Sequence, residues 1–329
     1  MNTVAFPQNT NTQYSNSKKL RVVTLNYLPS AYKFATDWIA ENGHEHILAV
    51  TSPGIKTRAT PSYQDMLRLV DRNVTAMVTS KMKSVLTPML QQIKPDIILC
   101  FTFAHRLEAE LCQIPTYGAV NIHPSVLPLY RGPNPMRQFY EGAKVFGATA
   151  HRIAEDYDTG EILSQEYEEM PSIVTQNTAV RWGQLIKQAI ANGMERAIWG
   201  KPGIVQDDRQ ASYAAPFTED EKWINLNEPS SVILRKTFAL NLSGGLAKTL
   251  INGQPYKIHA AHYMPNLNNK PAGSIIKQHN GTFEVATADG SVKLITELFD
   301  PNKKYANPLP RAAFFEQPLT YPTFSRAMA

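Results

Sequence analysis

Pro95-Asp-Ile-Ile-Leu-Cys-Phe-Thr-Phe-Ala-His-Arg-Leu107 decides how the rest of the chain reads. Its first half is almost wholly apolar, as a strand covered on both faces must be, and such strands belong to parallel sheets. Its second half leaves the strand's carboxyl end and opens a helix through Leu111. A short strand, Ala119–His123, follows within Gly118-Ala-Val-Asn-Ile-His-Pro-Ser-Val-Leu-Pro-Leu-Tyr-Arg-Gly132. Working outward towards the N-terminus, Arg21–Leu25 and His46–Thr51 are β-branched apolar runs that read as strands. A helix capped by Ser30 separates them, and helical patterns at Tyr63–Val70 and Val85–Ile93 come before Pro95. Strands alternating with helices predict a parallel sheet with helices on both faces. Ligands of such sheets bind beyond the carboxyl ends of the strands. His105, Arg106, Asn121 and His123 fall at those ends.

Asn121 and His123 are two residues apart, so in a strand they point to the same side. Pro124 stops the strand, and Pro128 and Gly132 keep the following segment irregular. Further on, strands at Ala148–Ile153 and Ile162–Tyr167 flank the turn Asp156-Tyr-Asp-Thr-Gly160, which offers carboxylates. Taken alone, an Asn-x-His is most often a satisfied polar pair, and Asp-Thr-Gly an ordinary turn. Val174–Trp199 carries apolar residues at helical spacing, and Gly200-Lys-Pro-Gly203 breaks it. The polar stretch to about Ala215 reads as a linker. Beyond it, a helix at Ser230–Leu240 precedes short strands punctuated by Asn252-Gly253, Asn280-Gly281 and Asp289-Gly290. Such dipeptides between alternating segments are hairpin signals, so a small β-rich, barrel-like domain is expected.

The composition, 43% hydrophobic and 19% charged, is that of a water-soluble globular chain, and its 329 residues suggest two domains, one large domain being the alternative. A net charge of +5 suits an anionic ligand and is too weak to demand nucleic acid. No stretch approaches the roughly 18 apolar residues of a membrane span. Met1–Lys19 is polar, lacks the apolar core of a secretory signal and reads as a flexible tail. Cys100 and Cys112 form neither a disulfide framework nor a metal spacing, which suits a reducing cytoplasm. His44-x-His46 and His259-x-x-His262 lack carboxylate or thiolate partners in a metal pattern, so no metal is expected. The turn Asn26-Tyr-Leu-Pro-Ser30 after the first strand has no glycine, which argues against a dinucleotide-binding site of the G-x-G-x-x-G kind.

Asn121-Ile-His123, Ser125-Val-Leu-Pro128, Tyr130-Arg-Gly132, Gly147-Ala-Thr-Ala-His151 and Asp158-Thr-Gly-Glu-Ile162 together resemble the formyltransferases that use 10-formyltetrahydrofolate. The segment Ser212–Ile224 and the β-rich remainder resemble the C-terminal domain of the methionyl-tRNA and some amino-sugar members. The fold this resemblance implies is α/β, a parallel-sheet, Rossmann-like formyltransferase domain followed by a smaller β-rich, OB-like one. The expected organisation is a tail over 1–19, the catalytic domain over 20–203, a linker over 204–215 and the β-rich domain over 216–329. The resemblance implies Asn121, His123 and Asp158 as the catalytic triplet. It implies Phe103, His105, Arg106 and Leu107 as the segment that receives the pterin, with Glu155, Asp156 and Asp158 closing over the same pocket. His151 and Arg131 are expected to support the site.

The chemistry of the residues agrees. Formyl transfer is acyl transfer to an amine. The amine must be neutral to attack, and the formyl oxygen gains negative charge, so donors aimed at it lower the barrier. Asn121 and protonated His123 supply donors, while Asp158 accepts a proton or holds the histidine charged. For the acceptor, the second-strand loop Pro53-Gly-Ile-Lys-Thr-Arg58 is short and only slightly basic, and from Asp207 onward basic residues barely outnumber acidic ones. A tRNA-binding surface would carry a larger basic footprint. The expected acceptor is therefore a small amine, of an amino-sugar nucleotide or a specialised metabolite. Formylation of methionyl-tRNA, hydrolysis of formyltetrahydrofolate and non-catalytic folate binding are the alternatives, and an oligomer is compatible with the sequence.

Overall fold

Every residue of β1 (Arg21–Asn26) after Arg21 is buried, as an inner strand requires. In this computed structural model, which describes residues 18–53, 62–265 and 269–303, β1 lies between β2 (Glu45–Thr51) and β4 (Ile97–Phe101). The stretch read as an N-terminal tail, apart from Lys18 and Lys19, and the loop residues Lys56 and Arg58 lie outside the described residues. The chain forms two compact units. The first comprises residues 1–135, 147–168 and 185–213, the second residues 136–146, 169–184 and 214–329.

The sheet of the first unit continues through β3 (Thr75–Val78), β5 (Ala119–His123), β6 (Val145–Arg152) and β7 (Ile162–Glu169), in the order β3-β2-β1-β4-β5-β6-β7. The expected parallel pairing holds from β3 to β5, whereas β6 runs antiparallel to β5. The sheet is therefore mixed, with mainly parallel strands. The order reverses between β1 and β4, which places the crevice of an open α/β sheet at the ends of those two strands. Edge strand β3 was not legible, because it is only four residues long and most of them are exposed.

Successive strand residues face opposite ways. Val23, Leu25, Leu48, Val50, Ile98 and Cys100 accordingly share a core with Leu86 and with Leu90 of α3 (Thr87–Ile93). On the other face, Ala49 meets Tyr32 of α1 (Pro29–Glu41) and Met66 of α2 (Ser62–Leu67). Helix α1 starts at Pro29 without a side-chain cap, so Ser30 does not cap it. The fixed φ of proline suits a first helical turn. Residues 102–108 do not continue into a helix at once. Thr102 turns the chain with φ +59°, and α4 (Ala109–Gln113) begins seven residues later than expected from the end of the strand.

The second unit contains α5 (Arg137–Tyr140), the start of α6 (Gln176–Ile198), α7 (Ser230–Leu242) and a five-stranded antiparallel sheet. Its strands are β8 (Lys248–Ile251), β9 (Gln254–Met264), β10 (Ile275–His279), β11 (Thr282–Thr287) and β12 (Gly290–Leu298), in the order β10-β11-β12-β9-β8. Asn252-Gly253 and Asn280-Gly281 are the two-residue loops the sequence announces, all four residues having positive φ. Phe139 of α5 is fully buried and meets Phe146, Trp182 and Phe238 with ring centroids 5.1–5.6 Å apart. Phe139→Leu removes those ring contacts and is expected to cost about 1–3 kcal/mol, read as a lowered Tm in thermal unfolding. No helix among the described residues is long and apolar enough to cross a membrane.

Candidate active site

The inward burial pattern of β5 is broken only at Asn121, which is half-buried. The antiparallel pairing of β5 with β6 sets Asn121 directly opposite His151. The asparagine Nδ2 lies 3.0 Å from His151 Nε2. His151 Nδ1 lies 2.7 Å from the carbonyl of Arg152, so the network assigns the ring proton to Nδ1 and leaves Nε2 to accept from Asn121. Two residues along β5, His123 is 5% exposed, with Nε2 2.7 Å from the Tyr130 carbonyl.

Asp158 completes the cluster from the turn between β6 and β7. Its Oδ2 accepts from the Gly132 N–H at 2.9 Å and faces His123 Nδ1 at 3.4 Å. Its Oδ1 faces Asn121 Nδ2 at 3.4 Å and His151 Nε2 at 3.6 Å. Burial works against the Asp158 charge, but the His123 ring and the Gly132 N–H outweigh it and hold the carboxyl well below the usual carboxylate range. Burial also pulls His123 below its ordinary value, against the opposing pull of Asp158 and the Tyr130 carbonyl. Both ring nitrogens of His123 face oxygen acceptors, so an imidazolium formed there has a partner for each N–H.

The loop after β5 is held as firmly as the strand. Thr149 Oγ1 donates to the Ser125 carbonyl at 2.7 Å and accepts from Leu127 N and Gln165 Nε2. Ser125 Oγ donates to the Leu129 carbonyl at 2.8 Å. Two non-glycine residues that bring groups into the cluster, Tyr130 (φ +61°) and Asp158 (φ +59°), sit in the left-handed region. Each such residue costs about 1–2 kcal/mol and persists only where its surroundings enforce it.

The remaining expected residues are placed differently. Leu107 is buried in the core beside Leu111, so its side chain is packing. His105 packs edgewise on Phe103 at 5.6 Å, and its Nε2 is buried without a partner. Arg106 meets Glu155 at 3.3 Å, joining the loop after β4 to the 155–158 turn through an exposed, solvent-screened pair. Asp156 is exposed, and its carbonyl accepts from Thr159 Oγ1. Arg131 points away from the carboxylate, to Gln206 and Asp208. The structure thus brings together Asn121, His123, His151 and Asp158, and keeps the side chains of Asp156 and Arg131 out of that cluster.

Sequence reasoning missed the Tyr130 carbonyl, the Gly132 N–H and Gln206. Backbone groups carry no residue signature, and Gln206 lies in the stretch expected as a linker. Residues 204–213 of that stretch belong to the first unit. Ser212 Oγ accepts from Tyr130 N at 2.9 Å, the Ser212 carbonyl accepts from Arg131 N at 2.9 Å, and Ile204 pairs with Ile162. Among the described residues, no group of three or more His, Cys, Asp or Glu could hold a metal ion.

A family model described as formyl transferase matches residues 41–198, and one described as formyl transferase, C-terminal domain, matches residues 216–310. The methionyl-tRNA formyltransferase of Syntrophomonas wolfei subsp. wolfei is 30% identical over 237 residues, which cover 69% of this chain and 72% of that protein. The N-formyltransferase from Helicobacter canadensis, solved with folinic acid and dTDP-3-aminofucose, aligns with a TM-score of 0.61 at 15% identity, over 85% of this chain and 100% of that one. HypX from Aquifex aeolicus, in complex with tetrahydrofolic acid, aligns with a TM-score of 0.61 at 16% identity over 84% of this chain, which spans 44% of the length of HypX. At such identities these two structures bear on the fold alone.

Proposed function

The chain belongs to the formyl transferase family, and from that premise we propose that it moves a formyl group from 10-formyltetrahydrofolate to a small primary amine, of an amino-sugar nucleotide or a specialised metabolite. The observation that carries the reading is the convergence of Asn121, His123 and His151 on the Asp158 carboxylate beyond the carboxyl end of β5. Residues 20–203 form the catalytic domain in this reading.

In the proposed mechanism, Asn121 Nδ2 and His123 Nε2 are the N–H groups that stabilise the oxygen developing charge as the amine attacks the formyl carbon. In the free protein they rest on His151 and the Tyr130 carbonyl, so binding exchanges one acceptor for another rather than exposing bare donors. A carboxyl held as far below its ordinary range as Asp158 is a weak proton acceptor. Its stronger role is electrostatic: it faces His123 Nδ1, orients the ring and favours its charged form. The residues fit a folate donor, for which Phe103, His105 and Arg106 supply a partly apolar wall and one buried ring nitrogen without a partner. The amine arrives protonated at neutral pH, so it loses one proton to solvent before attack. As the tetrahedral intermediate collapses, the bond from the formyl carbon to N10 of the folate breaks, and that nitrogen takes the second amine proton, through water, and leaves as tetrahydrofolate.

The short, only slightly basic loop Pro53–Arg58 and the near balance of charge beyond Asp207 support a small acceptor over tRNA. A second reading, formylation of methionyl-tRNA, is favoured by the 30% identity with the Syntrophomonas wolfei enzyme. Incubation with 10-formyltetrahydrofolate separates them, using a panel of amino-sugar nucleotides and other amines in parallel with charged initiator tRNA. Small-amine formylation with a shallow salt dependence is the expected result. Efficient tRNA formylation whose acceptor affinity falls steeply with salt would establish the second reading, and formate release without any acceptor would indicate a hydrolase.

A further inference from the structure

Gln206 inverts the usual partition of polar and apolar residues. It is 8% exposed, whereas its apolar neighbour Val205 is 77% exposed. A buried polar side chain inside an exposed stretch is the more informative of the two. Its amide is saturated. Nε2 donates to the Asp158 carbonyl at 2.9 Å and to the Gly160 carbonyl at 2.8 Å, while Oε1 accepts from Arg131 Nε at 3.1 Å and Nη2 at 2.8 Å. Carbonyls only accept and a guanidinium only donates, so these partners also fix which end of the amide is which.

We infer that Gln206 is a positioning residue that sets the Asp158 carboxylate for the reaction. This inference rests on the role proposed for Asp158 above. The two carbonyls it grips bracket the turn Asp158-Thr159-Gly160, whose first residue is held at φ +59°. Its other end grips Arg131, the residue before Gly132, and the Gly132 N–H donates to Asp158 Oδ2. One side chain therefore joins the loop that carries the carboxylate to the loop that anchors it. Arg131 is further tied to Asp208, two residues beyond Gln206, so the strap closes on itself at 2.8 Å. Nothing in Gln206 touches the reacting groups; it acts through Asp158.

Two variants divide this role from a simple packing role. Gln206→Met keeps the length and loses every hydrogen bond, whereas Gln206→Glu keeps an acceptor for Arg131 and loses both donors to the turn. Both are expected to lower kcat by roughly 10- to 100-fold, with KM for 10-formyltetrahydrofolate and for the amine changed by no more than about 2-fold, since a misplacement on the scale of an ångström costs about that much in rate. In an Asp158→Asn background, itself nearly inactive, neither should reduce single-turnover formylation further, because the two positions act as one unit.

Histidine titration by NMR supplies a readout that a structural role would not move. The groups facing the His123 ring are Asp158, the Tyr130 carbonyl and His151. If the carboxylate recedes, His123 loses its main raising influence and takes up its proton at lower pH than in the parent. Parental kcat in either folded variant, an unshifted His123, or an equal loss in the Asp158→Asn background would overturn the inference. Full activity of Asp158→Asn alone would instead sink the reading on which it rests. Should Gln206→Met fail to fold, Gln206→Glu carries the test by itself.

Discussion

Asp158→Ala is expected to lower kcat by roughly 1,000-fold while thermal unfolding stays within a few degrees of the parent. The side chain is the one group that touches Asn121, His123, His151 and the Gly132 N–H together, so its removal leaves the developing negative charge without an oriented imidazole. Asp158→Asn keeps the shape and removes only the charge, and the same loss is expected from it. His123→Ala should fall by a similar factor, and the double variant should be little worse than either, as residues acting as a unit are not additive. Near-parental turnover of Asp158→Ala or His123→Ala would remove the mechanism.

The pH dependence follows with its sign. Asp158 is held well below 3.8, so it stays ionised across the working range, and the stability it contributes is present above its unfolded value and lost only as pH falls through the lower folded one. An acid limb in kcat/KM near neutrality therefore belongs to the amine, which must be neutral to attack, and not to Asp158, whereas loss of the His123 imidazolium lowers activity as pH rises. Burial pulls His123 below its ordinary value in the parent, and it is expected lower still in Asp158→Ala, where the raising influence of the carboxylate is gone. A His123 signal that titrates upward in that variant would contradict the geometry.

Gly160→Ala is expected to damage stability and turnover together. A Cβ on Gly160 would land on the carbonyl oxygen and carbon of Arg152, and backbone atoms in β6 cannot step aside as a flexible side chain can. The neighbouring bond from Arg152 N to the Glu161 carbonyl at 2.9 Å locks the turn to the strand at that point. Overpacking of this kind costs about 3 kcal/mol at the upper end of its usual range, or roughly 6–12 °C in Tm for a unit of this size. The displaced turn carries Asp158 with it, so kcat should fall by about 100-fold in the folded fraction. Calorimetry with active-site titration checks both, and a parental Tm with parental kcat would show that the approach of Gly160 to Arg152 is not needed.

The fold was legible wherever one segment sufficed to show it. The apolar run Ile97–Phe101 marked an inner strand, and Asn252-Gly253 and Asn280-Gly281 marked their hairpins, because a positive φ at both turn residues is a local demand. β3 and the delayed start of α4 were not legible, since one is exposed and short and the other depends on how Thr102 turns off the sheet. The antiparallel entry of β6 is likewise a pairing choice, visible only once His151 is found opposite Asn121.

For the site, the sequence by itself determined that Asn121 and His123 share one side of a strand end, because side-chain direction alternates residue by residue whatever the strand packs against. It also determined a carboxylate-bearing turn some way along the chain. The resemblance already implied Asp158 as their third partner; only the tertiary structure decided that Arg131 turns to Gln206 and Asp208, and that Gln206 grips both loops from a stretch with no local signal. The physical reason is the range of the interactions. Strand periodicity and turn chemistry are set by a residue and its immediate neighbours. Hydrogen bonds to the carbonyls of Tyr130, Asp158 and Gly160 are set by which distant segments the fold brings together.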